Sequence, residues 1–123
     1  MNSNPIQRKH IENLILSCYL NQLYAHDLDK MEFNEAKIPF ELFKASRCNK
    51  MIAKAIHNLQ EDNKPVDDLN VLTYIQKFTE ISETDFIEVS STLWCTFDTM
   101  NLYIKQLKEI DEEETKQKIL EGL

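Results

Sequence analysis

Residues 46–60, SRCNKMIAKAIHNLQ, carry the clearest structural pattern in the chain. Apolar side chains recur there every three or four residues, which is the spacing of one face of an α-helix. Basic and amide side chains follow the same spacing on a second face, so this stretch predicts an amphipathic helix. The predicted buried face consists of Cys48, Ile52, Ala55, Ile56 and Leu59, and the second face of Arg47, Lys50, Lys54 and Asn58.

The sequence before this helix predicts further helical segments. Asn4 followed by Pro5 is typical of a helix start, and the apolar residues between positions 11 and 18 predict one buried face. A weaker pattern at 23–31 predicts a short helix. The apolar cluster at 40–43 follows Pro39 and predicts a turn that plugs the core.

The sequence after it predicts three more helices. Asp67 or Asp68 is placed to cap the first, and Ser82 with Asp85 three residues later resembles a capping box at the second. The third starts near Asp98, and we expect the acidic run at 111–114 to interrupt its apolar pattern. The apolar residues expected on the inner face of the first are Leu69, Leu72, Ile75 and Phe78, and those of the second are Phe86, Val89 and Leu93.

Glycine is almost absent from the 123 residues, because Gly122 is the single one. Sheets use glycine at hairpin turns and bulges, so its absence favours helices joined by short polar turns. Phosphate-binding loops and dinucleotide fingerprints need two or three glycines, and both classes of site are excluded for this chain. We therefore predict one all-α domain over 1–123, a compact bundle of six or seven helices. It would comprise a helical head at 1–97 and a segment at 98–123 that forms a helical hairpin or a protruding helix.

The charge balance narrows the range of partners. The chain has 14 basic and 21 acidic residues, for a formal net charge of −7. Nucleic acids and anionic membranes bind to basic surfaces, so we expect neither as the main partner. Two interpretations remain for the basic stripe of Arg47, Lys50 and Lys54, which is either a solvated helix face or a docking surface for an acidic partner.

The cysteines and histidines form no pattern typical of a metal site. Cys18, Cys48 and Cys95 are widely spaced and include no CxxC pair, and the three histidines form no HxxxH motif. We therefore expect no metal, no cofactor, and free, mostly packed thiols in a reducing cytoplasm. An alternative of another class is a small thiol-dependent enzyme with Cys95 as its nucleophile, since Cys95 lies just before a predicted helix start.

No stretch of the sequence has the apolar length of a membrane span. The first ten residues lead into no apolar signal core, so we expect no export signal.

The last predicted helix carries a heptad-like apolar seam. Its residues step by three, four and three from Met100 to Ile110, and tryptophan and tyrosine nearby are residue types enriched at interface hot spots. Two interpretations are open, a protein-interaction surface or internal packing against the rest of the domain. The candidate interaction residues are Trp94, Met100, Tyr103, Ile104, Leu107 and Ile110.

The order of these segments resembles the N-terminal domain of the DnaB-type replicative helicase. The segments that carry the resemblance are IENLILSCYL at 11–20, an aromatic pair and an amphipathic helix within 40–59, EDNKPVDDLNVL at 61–72, and NLYIKQLK at 101–108. It extends from about Ile11 to Leu120. Its most distinctive parts are the ProValAspAsp turn and the AsnLeuTyrIle helix start. The helicase-binding domain at the C-terminus of primase has a similar fold.

The resemblance implies a non-catalytic assembly domain of the bacterial replisome, active in DNA replication within the primosome. Such domains form a helical head followed by a hairpin, and in the helicase the hairpins pair into a collar that receives primase. On this basis the expected partners are primase, the replicative helicase or a second copy of the chain. The 123 residues contain no phosphate-binding loop of a motor domain, so we expect either a fragment of the helicase or a stand-alone relative, with a short second arm of the hairpin. The helicase-binding part of primase and a stand-alone regulator of either protein therefore remain as alternatives.

Overall fold

The computed structural model describes residues 5–22, 32–33, 35–92 and 96–122. Within these ranges the chain forms five α-helices, one short 3₁₀ turn at Phe40–Leu42 and no strand, which confirms the all-α class with slightly fewer helices than predicted. The predicted short helix at 23–31 lies outside the described residues. The helices are α1 (Pro5–Leu20), α2 (Arg47–Glu61), α3 (Asp68–Gln76), α4 (Glu83–Ser90) and α5 (Phe97–Glu121).

Polar side chains define the starts of four of these helices. Ser46 accepts a hydrogen bond from the Asn49 amide at the start of α2, and Asp67, Ser82 and Thr96 accept equivalent bonds at the starts of α3, α4 and α5. Each bond satisfies an amide N–H that has no partner inside the helix. The predicted caps at Asp67 and Ser82 are therefore confirmed, and the predicted cap at Asn4 lies outside the described residues.

The end of α2 shows how a chain with one glycine stops a helix. Asn63 has φ 55°, in the left-handed region that glycine usually occupies. Its amide donates to Gln60 O at 3.1 Å, and the amide of Lys64 donates to Leu59 O at 2.9 Å. This pair of bonds satisfies two terminal carbonyls of α2 and turns the chain toward α3.

Helix α1 lies at the centre of the bundle. Every residue from Ile11 to Leu20 is buried, including the polar residues Glu12, Asn13 and Ser17. The helix contacts α2, α4 and α5. The prediction of a single buried face on α1 is therefore wrong, because partners cover this helix on all sides.

A cluster of charged side chains fastens α1 to α5 and to the loop before α2. Nearly all of Arg8 is buried, and its guanidinium donates to Glu12 at 3.0 Å, to Asp111 at 3.0 Å, to Glu114 and to the carbonyl of Leu42 at 2.8 Å. We call Arg8, Glu12, Asp111 and Glu114 the Arg8 network. It places two carboxylates of α5 directly over α1.

Glu12 has no exposed surface, and several donors balance its charge. Besides Arg8, it accepts hydrogen bonds from the amides of Lys44 and Ala45 and from the side chain of Asn49. A buried carboxylate is tolerated only when it is paired and hydrogen-bonded in this way. Glu12 thus joins the loop before α2 and the first turn of α2 to α1.

Helix α5 continues through the acidic run that was expected to interrupt it. Glutamate is a good helix former, and Asp111 and Glu114 are held by Arg8, so the helix extends unbroken from Phe97 to Glu121. Residues Phe97–Glu121 therefore form one continuous helix, which contradicts the hairpin alternative for the segment at 98–123 and leaves the alternative of a single helix.

The apolar seam of α5 faces inward. Met100 and Leu107 are both 0% exposed and belong to the core, and the partly buried Tyr103, Ile104 and Ile110 pack against it. Met100 and Leu107 are therefore not available to a partner, which corrects the interaction-surface interpretation at these two positions in favour of internal packing. Trp94 lies outside the described residues.

Leu107→Ala should cost about 2–5 kcal/mol of unfolding free energy, because it opens a cavity at a fully buried site. Leu102→Ala, on the same helix at a position that is 61% exposed, should change it by about 0.5 kcal/mol or less. Urea unfolding followed by circular dichroism measures both. Equal effects would contradict the placement of the seam in the core.

Asp111 should make stability dependent on pH. Burial alone would raise the pKa of Asp111, but hydrogen bonds from Lys44 and Arg8 outweigh it and hold this pKa below its ordinary value. A lowered folded-state pKa stabilises the fold above the unfolded-state pKa of about 4, and this contribution is lost as pH falls through the folded-state pKa.

We therefore expect the wild type to be more stable than Asp111→Asn at pH 7, and the difference to shrink between about pH 5 and pH 2. Urea unfolding at several pH values measures the difference. Glu112→Gln, at an exposed position one residue further along α5, is the matched control for the removal of one carboxylate from this helix. A difference for Asp111→Asn that stays constant down to pH 2 would contradict the assignment.

Candidate functional site

An apolar groove lies between α2 and α3 and has a volume of about 370 Å³. We call it the α2–α3 groove. One side is formed by α2 and the other by α3 and the turn that follows it. The residues that line it are Lys50, Met51, Lys54, Ala55, Asn58, Tyr74, Ile75, Phe78 and Thr79.

Hydrogen bonds bridge the two sides of the groove. The side chain of Asn58 on α2 donates to the hydroxyl of Tyr74 on α3 at 3.1 Å. The guanidinium of Arg47, at the start of α2, donates to the hydroxyl of Thr79 at 3.2 Å. Arg47 lies at the start of α2 and Asn58 near its end. The two hydrogen bonds therefore link α2 to the opposite side of the groove at two separate points.

The interior of the groove is apolar. Ala55 and Ile75 are buried, and Met51 is half-buried beside them. The Phe78 ring lies 5.2 Å from the Tyr74 ring and is 73% exposed. An exposed aromatic side chain beside an apolar hollow is typical of interaction sites.

The predicted inner face of α3 is partly wrong. Leu69 and Phe78 are 69% and 73% exposed, while Val71 and Ile75 are buried. Val71 and Ile75 are one turn apart and define the face of α3 that packs inward. Since α3 ends at Gln76, Phe78 lies beyond the helix and does not follow its spacing.

The basic stripe predicted on α2 lies along this groove. Arg47, Lys50 and Lys54 are all exposed. Lys50 and Lys54 line the groove, and Arg47 bridges to Thr79. Among the described residues that line the groove, two are lysines and none is acidic, in a chain with a net charge of −7.

Lys54 also contacts a neighbouring aromatic cluster. Its ammonium lies 4.3 Å from the centre of the Phe40 ring, and that ring lies 4.3 Å from the His57 ring. A cation over an aromatic face is attracted by the ring electrons. This contact holds the charge of Lys54 over Phe40, a residue that does not line the α2–α3 groove.

The cysteines differ from the expectation of free thiols. Cys18 is disulfide-bonded and fully buried, whereas Cys48 carries a free thiol. Disulfides persist mainly in oxidising environments, so the cysteines do not confirm the expected reducing cytoplasm, which stays a prediction. Cys95, the alternative nucleophile, lies outside the described residues.

The environment of Cys48 disfavours its thiolate. Burial raises the pKa of this thiol to about 11, with a further contribution from the carboxylates of Asp85 and Glu88 that outweighs the effect of Lys9. These residues line a small hollow of about 180 Å³ beside the start of α2. A nucleophilic cysteine needs the opposite, a lowered pKa.

In the part of the chain that the structure describes, no group of three histidine, cysteine or acidic residues is arranged to hold a metal ion. In the same residues, no helix combines the length and the apolar character required to cross a bilayer.

Comparisons with known proteins add no relative. No family model matches the chain, and no curated protein and no solved structure matches it.

Cys48 should react slowly with iodoacetamide at pH 7.5, roughly a hundredfold more slowly than an unperturbed thiol, because of its raised pKa. Mass spectrometry of the peptide that contains Cys48 gives the rate. Asp85→Asn should speed the reaction by removing a nearby negative charge, while Asp68→Asn, on α3, should not. Rapid labelling of the wild type at pH 7.5 would contradict this account.

Proposed function

We propose that this chain is a non-catalytic protein-interaction domain that binds its partner through the α2–α3 groove. The observation that carries the proposal is the combination of an apolar hollow, an exposed Phe78 and a basic rim in an acidic chain. The α5 seam has a smaller part in it, because its residues pack against the core.

The composition of the groove is typical of a protein interface. Aromatic side chains at the centre of an apolar patch contribute most to binding when a partner covers them. Phe78 is placed for this role beside Tyr74, and the two lysines form a polar rim. Leu69 is also exposed on α3, but it does not line the groove.

We infer the biological setting from the resemblance of the sequence to the N-terminal domain of the DnaB-type replicative helicase. This resemblance assigns the partner to the bacterial replisome, as primase or the replicative helicase, with self-association as a further mode. That setting is cytoplasmic, where a disulfide such as that of Cys18 is uncommon. Binding is therefore measured both with and without reductant.

A calorimetric titration tests the proposal, with the C-terminal domain of primase and the replicative helicase from the same organism as titrants. Binding to primase alone supports a helicase collar domain, and binding to helicase alone supports a primase-side domain or a regulator. An absence of heat with both titrants, under both redox conditions, would rule out the replisome assignment.

The double variant Lys50→Glu/Lys54→Glu should weaken binding of the responding titrant tenfold or more if the groove is the site. The matched control Lys64→Glu/Lys105→Glu reverses two exposed charges outside the groove and should leave the affinity within about twofold. Circular dichroism establishes that both variants are folded. Equal affinities of the two variants would place the binding surface elsewhere.

A further inference from the structure

We propose that the α2–α3 groove binds an acidic amphipathic helix of a partner protein, with carboxylates along one edge of that helix only. This inference rests on the proposed function of the groove and adds the chemistry of the segment that occupies it. Three properties of the groove support it: the chemistry of its walls, its length and the distribution of its charges.

The walls favour a helix over an extended peptide. Both α2 and α3 satisfy most of their backbone groups internally, so they offer side chains to a ligand. An extended segment would bring unpaired backbone N–H and C=O groups into an apolar hollow, which costs free energy. A helix pairs its own backbone groups and presents side chains alone, which is the usual mode of recognition in a groove between helices.

The length of the groove fits about two turns of helix. Its lining on α2 runs from Lys50 to Asn58, which corresponds to about 12 Å at the rise of an α-helix. Two turns present apolar anchors at positions i, i+3 or i+4, and i+7. Ala55 is the smallest lining side chain, and Met51, Ile75 and Phe78 are the larger apolar ones that an anchor would contact.

The charged residues that line the groove both come from α2. Lys50 and Lys54 are one helical turn apart on this helix, and the guanidinium of Arg47, a further turn back, reaches across to Thr79 on the other side. The opposite wall contributes Tyr74, Ile75, Phe78 and Thr79, none of which is charged. Carboxylates spaced three or four residues apart along one edge of the ligand helix match Lys50 and, once its ammonium leaves the Phe40 ring, Lys54. The other edge of the ligand faces uncharged side chains.

A second copy of the chain is the competing occupant, since α5 carries an acidic run at 111–114. Two of these carboxylates, Asp111 and Glu114, are bound to Arg8 of their own chain, and Asp111 also binds Lys44. Their use against another copy would require the Arg8 network to open. The structure therefore favours a separate partner over self-docking.

A display library of 14-residue peptides provides an unbiased probe. The peptides share a helix-forming framework, and the remaining positions are randomised equally over all residue types. Selection is run on the whole chain and, in parallel, on Lys50→Glu/Lys54→Glu. We expect the wild type to enrich peptides with apolar residues at helical spacing and with Asp or Glu along one edge. The double variant should lose this enrichment. Neutral or basic consensus sequences, or no enrichment at all, would overturn the proposal.

The best enriched peptide is then titrated by fluorescence anisotropy. Replacing its carboxylates by amides should weaken binding to the wild type tenfold or more, and should have little effect on binding to Lys50→Glu/Lys54→Glu. Lys64→Glu/Lys105→Glu should bind the acidic peptide as the wild type does, within about twofold. Equal affinity of the acidic peptide for the wild type and the groove variant would place its site elsewhere and overturn the proposal.

Sedimentation of the chain alone distinguishes self-docking. A dimer that Lys50→Glu/Lys54→Glu abolishes would assign the groove to a second copy and overturn the proposal. The proposed interaction function and the proposed chemistry of its ligand can also fail independently of each other. If primase or helicase binds in a groove-dependent way but no acidic helix is selected, the interaction function stands and the chemistry assigned to its ligand is wrong.

Discussion

The burial of Glu12 at the centre of α1 is the constraint on which the arrangement of the bundle depends. A carboxylate with no exposed surface needs donors on every side, and these come from Arg8, Asn49 and the amides of Lys44 and Ala45. The loop before α2 and the first turn of α2 are therefore fixed relative to α1. The position of α2 in turn sets one wall of the α2–α3 groove.

The same constraint explains why α5 lies where it does. Arg8 is too deeply buried to rely on Glu12 alone, and Asp111 and Glu114 supply two further acceptors from α5. Pairs of this kind contribute modest net stability but strongly penalise any arrangement that leaves one charge unpaired. The network thereby selects one register of α5 on α1 and keeps its seam, including Met100 and Leu107, inside the core.

The sequence was most informative where its signals are local. The apolar spacing at 46–60, the caps at Asp67 and Ser82 and the lack of glycine led to the all-α class and to three helix starts close to those observed. It also picked out Lys50 and Lys54 as a basic stripe. Sequence reasoning could not show that the stripe borders a hollow, because Tyr74, Ile75 and Phe78 come from a separate segment. It also treated Phe78 as buried by extending the spacing of α3 beyond its end.

Long-range interactions account for the other errors. Glu12 and Asn13 look like residues of an exposed face until their partners, dozens of residues away, are known. The acidic run at 111–114 looks like a helix break because its partner Arg8 lies at the other end of the chain. The disulfide of Cys18 likewise depends on a proximity in space that cysteine spacing does not reveal.

The turn at Asn63, just after the end of α2, determines which contacts of the fold are local in sequence. By turning the chain back at once, it makes the walls of the groove neighbours in sequence, within residues 47–79. The closure of α5 on α1 instead joins residues more than a hundred positions apart, such as Arg8 and Asp111. Contacts between near neighbours cost less chain entropy and form sooner than distant ones. The groove is therefore a unit of low contact order, whose two walls are encoded by about a quarter of the chain.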